Sequence, residues 1–209
     1  MPKLRTENLE AIRDKIEEAA LQKFIRCGFA ATTTREIAAE VGLTAGALYT
    51  HYKSKEELFV AVVKRSHRLL VGKNASNPIK EALHATEFPH DIPRLARAIR
   101  ALIRGNRPYW LLWYIDVVEF EGKHFKAQVG PKLLLAEPEL RARFAELKKD
   151  SALRVEPDVA FIMVYMHLFN YYCMEILLGG RDHYGVPEDD AIEAMCSIFL
   201  HGMLAKATS

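Results

Sequence analysis

Cysteine is scarce in this chain of 209 residues, which has three, at positions 27, 173 and 196. They are too few and too scattered for a disulfide framework or a zinc site, so we expect a reducing, cytoplasmic setting and no metal site. The first fifteen residues lack the apolar core of a signal peptide, and we therefore expect no export. Glycine-rich phosphate loops and the Gly-x-Ser-x-Gly and His-Glu-x-x-His motifs are also absent, which argues against the enzyme classes that use them and gives no reason to expect a cofactor.

No charge of one sign dominates the chain, whose formal net charge is +2. The charge is unevenly distributed, however. Residues 1–73 contain 13 Lys and Arg against 9 Asp and Glu, whereas residues 74–209 contain 16 against 18. A basic N-terminal part followed by a mildly acidic remainder favours contact with nucleic acid at one end.

The chain is predicted to be helical throughout, because apolar residues recur with a helical period and no strand-like alternation persists. A first helix is predicted to end at Gly28, and a fourth to begin near Ser54. The clearest break in composition is at residues 72–78, where we place a functional boundary. Prolines lie near most of the helix starts predicted beyond it. These later helices cover about residues 79–86, 91–105, 108–122, 138–151, 157–179 and 187–205.

Residues 33–52 have the layout of a helix-turn-helix. A short helix opens with Thr33 and Glu36 at the spacing of a capping box and stops at Gly42, where glycine permits a sharp turn. A second short helix runs from about Thr44 to Tyr52. Apolar residues would fill the contact between them: Ile37, Ala38, Val41, Leu43 and Leu48. The residues left facing outward are small, neutral or hydrogen-bonding: Thr44, Ala45, Gly46, Ala47, Tyr49, Thr50 and His51.

An outward face of this kind suits the major groove of DNA. Small residues let a helix approach closely, while hydroxyls and main-chain N–H groups reach phosphates and base edges. An ordinary pair of helices with a solvated face has the same spacing, so the spacing alone leaves both alternatives open.

Two sequence segments carry a more specific resemblance. They read FIRCGFAATTTREIA from position 24 and VGLTAGALYTHYKSKEEL from position 41. Over roughly residues 10–63 the chain closely resembles the N-terminal domain of TetR-family repressors. The resemblance implies an all-α fold with an N-terminal three-helix helix-turn-helix DNA-binding domain, followed by a helical ligand-binding and dimerisation domain. We expect these domains over residues 1–54 and 73–209, with a connecting helix over residues 55–72.

The resemblance also implies which residues contact DNA. Thr34 would contact a phosphate, and Lys55 would complete a phosphate clamp at the start of the fourth helix, where the helix dipole also favours anions. The recognition helix would contribute Thr44, Ala45, Gly46, Tyr49, Thr50 and His51, of which Tyr49 and His51 contact phosphates. The alternatives are that Tyr49 packs on the first helix and that Lys55 is merely solvated. Many relatives carry Lys, Arg or Pro where Ala45 stands here, so base readout is expected to depend on Thr44, Ala47 and Thr50.

The segment from residue 109 to 120 is rich in aromatic residues, as the wall of a ligand pocket is. Trp110 and Trp113 are our candidates for effector contact, although an ordinary core helix has the same composition. Asp116 and Glu119 lie near Lys123 on a helical surface, which favours a solvated face for the two acids.

The predicted helix over residues 157–179 is almost wholly apolar and about as long as a membrane span. Its mid-helix polar residues argue against a span, and a helix apolar all round is otherwise one that is buried on every side. Its polar tips lie along one side and are our second group of effector candidates: His167, Asn170, Tyr171 and Glu175. The alternative, which the pattern favours slightly, is an internal hydrogen-bond network or a hydrogen bond at a dimer interface.

The last predicted helix, over residues 187–205, carries small residues that would let a partner helix approach. We expect it and the preceding long helix to pair with their symmetry mates in a four-helix dimer interface. The interface candidates are Met195, Ile198, Phe199 and Gly202.

These features together predict a DNA-binding transcriptional regulator. We expect a cytoplasmic homodimeric repressor, associated with the nucleoid when bound to DNA. A small, largely apolar effector would release it from a palindromic operator in double-stranded DNA. The alternative is a helix-turn-helix factor controlled by a protein partner or by no ligand.

Overall fold

The computed structural model describes residues 2–71, 91–129, 153–178 and 185–203, together with a few isolated positions from 142 to 149. The predicted all-α fold is confirmed in this part of the chain, which contains nine helices. They are α1 (Pro2–Cys27), α2 (Thr34–Glu40), α3 (Ala45–Tyr49), α4 (Lys55–Val71), α5 (Ile92–Gly105), α6 (Arg107–Phe120), α7 (Lys123–Val129), α8 (Pro157–Leu177) and α9 (Glu188–Met203). The predicted helix at 79–86 lies outside the described residues, as does almost all of the one at 138–151.

The chain divides into two compact units. The first consists of Met1–Ala75 and Pro108–Gly130, and the second of Ser76–Arg107 and Pro131–Ser209. Nearly all of α6 and the whole of α7 therefore group with the N-terminal helices. The domain boundaries predicted at residues 54 and 72 do not anticipate this grouping.

The first unit has a core of aromatic and aliphatic side chains. Phe24 of α1 and Phe59 of α4 are fully buried, with ring centroids 5.3 Å apart and their planes nearly perpendicular, as aromatic pairs prefer. Phe120 of α6 packs on the same group, 5.1 Å from Phe59. Helices α1, α4 and α6 thus share one core, and α2 and α3 pack against it.

The second unit is organised around α5, which packs against α8 and α9. The apolar residues of α5 recur at helical spacing and form its buried face: Ile92, Leu95, Ala96, Ile99 and Ile103. Among the described residues, α8 is the one helix long and apolar enough to cross a membrane. One side of α8, which includes Phe161, Val164 and Leu168, is buried in the second unit.

Helix α7 was not predicted, and its cap explains why. Helix α6 ends at Phe120, and the chain turns through Glu121 and Gly122, with φ of 55° and 73°. The side chain of Asp116, one turn back in α6, accepts the N–H of Phe125 at 3.0 Å and that of His124 at 3.4 Å. A carboxylate at a helix N-terminus satisfies N–H groups that the helix leaves unpaired. The prediction that Asp116 lies on a solvated face is wrong, because its side chain is fully buried at this corner.

Candidate nucleic-acid interface

The capping box predicted for α2 is present. The Thr33 hydroxyl accepts the N–H of Glu36 at 3.3 Å, and the Glu36 carboxylate accepts the N–H of Thr33 at 3.0 Å. The bonds from Thr33 hold the pKa of Glu36 below its ordinary value. Gly42 follows α2 with φ of 72°, in the left-handed region that glycine tolerates best. The turn into the second helix therefore forms as its sequence predicts.

Helix α3 is shorter than predicted, ending at Tyr49 rather than near Tyr52. Thr44 caps its start by accepting the N–H of Ala47 at 3.1 Å, and the Thr50 hydroxyl donates to the carbonyl of Ala47 at 2.7 Å. Leu48 is fully buried, as predicted, whereas Thr44, Gly46, Tyr49 and Thr50 are exposed. Ala45 and His51 are half-buried beside them. The outer face of α3 is consequently small and uncharged.

Two of the predicted phosphate-contacting residues lie together. The Thr34 hydroxyl at the start of α2 is 3.1 Å from the hydroxyl of Tyr49 on α3. Tyr49 is 48% exposed, so its side chain is available at the surface instead of being buried against α1. Since one O–H joins the two oxygens, the pair has one O–H left, which can donate to a phosphate oxygen.

The contact that anchors the chain just after α3 has no local signature in the sequence. Tyr52, only 1% exposed, donates its hydroxyl to the carboxylate of Glu17 in α1 at 2.7 Å. The Arg13 guanidinium donates to the same hydroxyl at 3.4 Å, and Arg65 of α4 lies 3.9 Å from Glu17. Burial raises the pKa of Tyr52 to about 12. Glu17 and Arg13 lie more than 30 residues before Tyr52 in the chain, so no local pattern identifies them as its partners.

Lys55 is half-buried, and its ammonium group binds backbone carbonyls instead of being merely solvated. Its Nζ donates to the carbonyls of Phe29 and Thr32 at 2.8 Å and of Ala30 at 3.3 Å, and it lies 4.3 Å from the centroid of the Phe29 ring. An ammonium group has three N–H donors, so these carbonyls account for all of them. Its phosphate contact stays a prediction. What the structure adds is that Lys55 ties the start of α4 to the loop before α2.

The two groups of effector candidates lie in different units. Trp110 and Trp113 are half-buried against the core of the first unit, next to Tyr109. The Tyr109 hydroxyl lies 3.1 Å from Nδ1 of His67 in α4; burial raises the pKa of Tyr109 to about 12 and lowers that of His67. Tyr109 and His67 were not among the predicted site residues.

The second group belongs to α8 in the second unit. His167 and Asn170 are exposed, whereas Tyr171 and Glu175 are half-buried. His167 contacts its own helix through the carbonyl of Met163 at 2.7 Å, and its ring lies 5.2 Å from that of Phe199 in α9. A role of either group in effector binding stays a prediction.

Helix α9 has one buried and one open face. Ile192 and Cys196 are buried against the second unit, whereas Ile198 is 70% exposed and Gly202 is exposed as well. Met195 and Phe199 are half-buried between these faces. The predicted dimer residues therefore lie at or beside the open face of the helix.

Comparison with known proteins places the helix-turn-helix in a family. Residues 16–62 match the family described as bacterial regulatory proteins, tetR family. The chain is 45% identical over 49 residues to the transcriptional regulator YerO of Bacillus subtilis, covering 23% of this chain and 17% of YerO. It is 40% identical over 52 residues to the repressor KstR2 of Mycolicibacterium smegmatis, covering 25% of each protein. The matches thus span a quarter or less of either relative.

Solved structures extend the likeness of the fold to nearly the whole chain. The TetR-family regulator PfmR of Thermus thermophilus matches with a TM-score of 0.58 and 21% identity, over 93% of this chain and 98% of PfmR. The regulator FadR of Bacillus halodurans matches with a TM-score of 0.58 and 16% identity, over 90% of this chain and 94% of FadR. The helix-turn-helix domain at residues 16–62 is therefore a domain of the tetR family of bacterial regulatory proteins.

Proposed function

We propose that the protein is a homodimeric transcriptional repressor that binds a palindromic DNA operator through α2 and α3. A small, largely apolar effector releases it from that operator, and it acts in the cytoplasm on nucleoid DNA as a regulator, without catalysing a reaction. The observation that carries the proposal is the Thr34–Tyr49 hydroxyl pair, which adjoins the small, uncharged outer face of α3. Repression, as opposed to activation, is inferred from the relative KstR2, which is named a repressor.

Gly46 supports close approach of a partner to α3. Apart from its chain neighbours and its own helix backbone, a Cβ at this position would meet the Thr44 hydroxyl alone, at the ordinary contact distance of 3.9 Å. Packing inside the chain therefore does not require glycine here, although glycine in a helix costs about 0.5–1 kcal/mol relative to alanine. The missing side chain leaves room for a base edge or a sugar-phosphate backbone.

The exposed apolar residues of the second unit support a homodimer. Val159, Met163 and Met166 recur at i, i+4 and i+7 on α8 and are all at least 42% exposed, and Ile198 of α9 is exposed as well. A row of exposed apolar residues on a long helix is typical of an interaction site. In a two-fold dimer the same surface of both subunits forms the interface, so this row would be buried against the identical row of the partner subunit.

The chemistry of the effector is inferred from α6. Trp110 and Trp113 are half-buried rather than fully enclosed, and the neighbouring Tyr109 adds a hydroxyl, 3.1 Å from His67 Nδ1, to this mostly aromatic surface. Ligand sites of this composition take mostly apolar molecules that a few polar groups orient. We accordingly propose an aromatic or aliphatic effector with one or two polar groups.

A selection experiment tests the DNA-binding part of the proposal. Full-length protein is incubated with a pool of random-sequence duplexes, and the bound fraction is amplified and sequenced. We expect a palindrome whose half-sites are centred about 34–36 Å apart, one helical turn, because two recognition helices must enter successive major grooves. Failure to enrich any sequence would contradict the proposal.

A thermal-shift screen tests the effector. A ligand that binds the folded protein raises the melting temperature by mass action, and a true effector must also release the selected duplex. If aromatic and aliphatic compounds with one or two polar groups give no hit that releases DNA, the ligand-responsive part of the proposal is wrong.

A further inference from the structure

The loop that enters the helix-turn-helix is held by a side chain from α6. The Glu119 carboxylate accepts the N–H of Phe29 at 2.8 Å and that of Ala30 at 2.6 Å. These two N–H groups follow Gly28, whose φ is 81°, and a Cβ on Gly28 would lie only 3.2 Å from Glu119 Oε1. Successive N–H groups beside a left-handed residue form a concavity that binds anions. Here the anion is supplied by the chain itself, from a position about 90 residues away.

The segment that leaves the helix-turn-helix is held by α7. His124 Nε2 lies 3.1 Å from the carboxylate of Glu56 in the first turn of α4, and Lys123 Nζ donates to the same oxygen at 2.7 Å. The other ring nitrogen of His124 lies 2.7 Å from Asp116 of α6. The bonds from Lys123 and His124 lower the pKa of Glu56. The His124 ring therefore bridges the α6–α7 corner and the start of α4.

Lys55 joins the loop before α2 to the start of α4. It stands next to Glu56, and its Nζ reaches the carbonyls of Phe29 and Thr32 in the loop before α2. The same loop thus receives a carboxylate on its N–H groups and an ammonium on its carbonyls. Helices α2 and α3 lie between two segments that are both tied to the α6–α7 corner.

We propose that Glu119 and His124 are positioning residues that set the orientation of α2 and α3 for DNA binding. A rotation of the helix-turn-helix relative to α6 requires breaking the bonds of Glu119 to the loop before α2 or the bond of His124 to Glu56 at the start of α4. Charge-assisted hydrogen bonds are among the stronger ones in proteins, so these contacts resist that rotation. The inference rests on the proposed function, since its consequence is measured as DNA affinity.

Glu119→Gln is the first variant that tests this proposal. It keeps the size of the side chain but loses its charge, and it replaces one acceptor oxygen with an NH₂ group that cannot accept an N–H. Glu121→Gln is the matched control, because Glu121 lies two residues away and its backbone carbonyl, rather than its carboxylate, accepts the bond from the Lys126 ammonium at 2.8 Å. The second variant, His124→Asn, keeps a donor near the position of Nδ1 while losing the group that reaches Glu56.

Binding is measured with the duplex that the wild-type protein selects, at a temperature well below the unfolding transition of every variant. Global destabilisation does not alter affinity under that condition, because all variants are fully folded. We expect affinity to fall about tenfold for Glu119→Gln, which corresponds to about 1.4 kcal/mol, and less than twofold for Glu121→Gln. His124→Asn should also weaken binding, and the double variant should be weaker than either single one.

Hydrogen exchange at the backbone N–H groups of Phe29 and Ala30 gives a readout that does not involve DNA. We expect both to exchange at least about tenfold faster in Glu119→Gln, since they lose a charged acceptor. Wild-type affinity in a folded Glu119→Gln variant would overturn the inference and leave the proposed function intact. A wild-type protein that selects no duplex would instead overturn the proposed function. If the double variant does not fold, the two measurements on Glu119→Gln alone decide the question.

Discussion

Replacing Gly46 with alanine separates the demands of folding from those of DNA binding. Gly46 lies in the first turn of α3, on the exposed side of the helix. Apart from its chain neighbours and the backbone of its own helix, the added Cβ meets the Thr44 hydroxyl alone, at 3.9 Å. The fold can therefore accept the methyl group without rearrangement, whereas a helix lying against DNA cannot.

The two effects have opposite signs. Alanine loses less backbone entropy than glycine on folding, so we expect the free energy of unfolding to rise by about 0.5 kcal/mol, the lower end of the range for helix interiors, because the site is in the first turn. For a chain of this size that corresponds to an increase of about 1–2 °C in Tm. A base contact of good geometry is worth about 1–3 kcal/mol, so obstructing one should weaken operator binding by roughly 5-fold to 150-fold.

The assay pairs differential scanning calorimetry with fluorescence anisotropy of the selected duplex. Gly105→Ala in α5 is the matched control, since a Cβ added there would lie in open space and Gly105 lies outside the helix-turn-helix. It should show comparable stability and unchanged DNA affinity. A Gly46→Ala protein that is at least as stable as the wild type and binds the duplex equally well would refute the assignment of α3 as the recognition helix.

Three further predictions concern single contacts. Tyr49→Phe removes the hydroxyl beside Thr34, so filter binding should show weaker affinity for all sequences alike; unchanged affinity would exclude a phosphate contact there. Ile198→Asp places two like charges in the proposed apolar seam, and sedimentation should then show monomers, whereas Ser197→Asp beside it should stay dimeric. Tyrosine ionises at about pH 10 when unfolded and Tyr52 at about 12 when folded, so alkaline pH favours unfolding. Between pH 10 and 12 the wild type should lose up to about 2.7 kcal/mol more stability than Tyr52→Phe in denaturant titrations; equal losses would contradict the burial of the Tyr52 hydroxyl, which raises its pKa.

The local structure of the helix-turn-helix follows from its sequence because its determinants are close together. Thr33 and Glu36 complete a capping box within one turn, and Gly42 takes the left-handed conformation within a few residues of that helix. The outer face of α3 could be read in the same way. The residue at which α3 ends could not be predicted in this way, because Tyr52 lies beyond the helix and binds Glu17, which is 35 residues earlier in the chain.

The contacts around α6 and α7 could not be predicted from the sequence. Glu119 and Lys123 are four residues apart, which predicts a solvated pair, yet Glu119 binds the loop at Phe29 and Lys123 binds Glu56. Each of these partners is more than 60 residues distant in the chain. Helix α7 was missed for a related reason, since its cap comes from Asp116 in the preceding helix rather than from a residue at its own start.

Site-directed cross-linking tests most directly whether the outer face of α3 reads DNA. Thr50→Cys is introduced after the exposed Cys27 has been replaced by serine, and the protein is mixed with the selected duplex carrying a thiol tether on one base of a half-site. We predict a disulfide cross-link whose yield depends on which base carries the tether, and none from Ser197→Cys on α9. Cross-linking that is absent at Thr50→Cys for every tether position, or no stronger than at Ser197→Cys, would contradict the account.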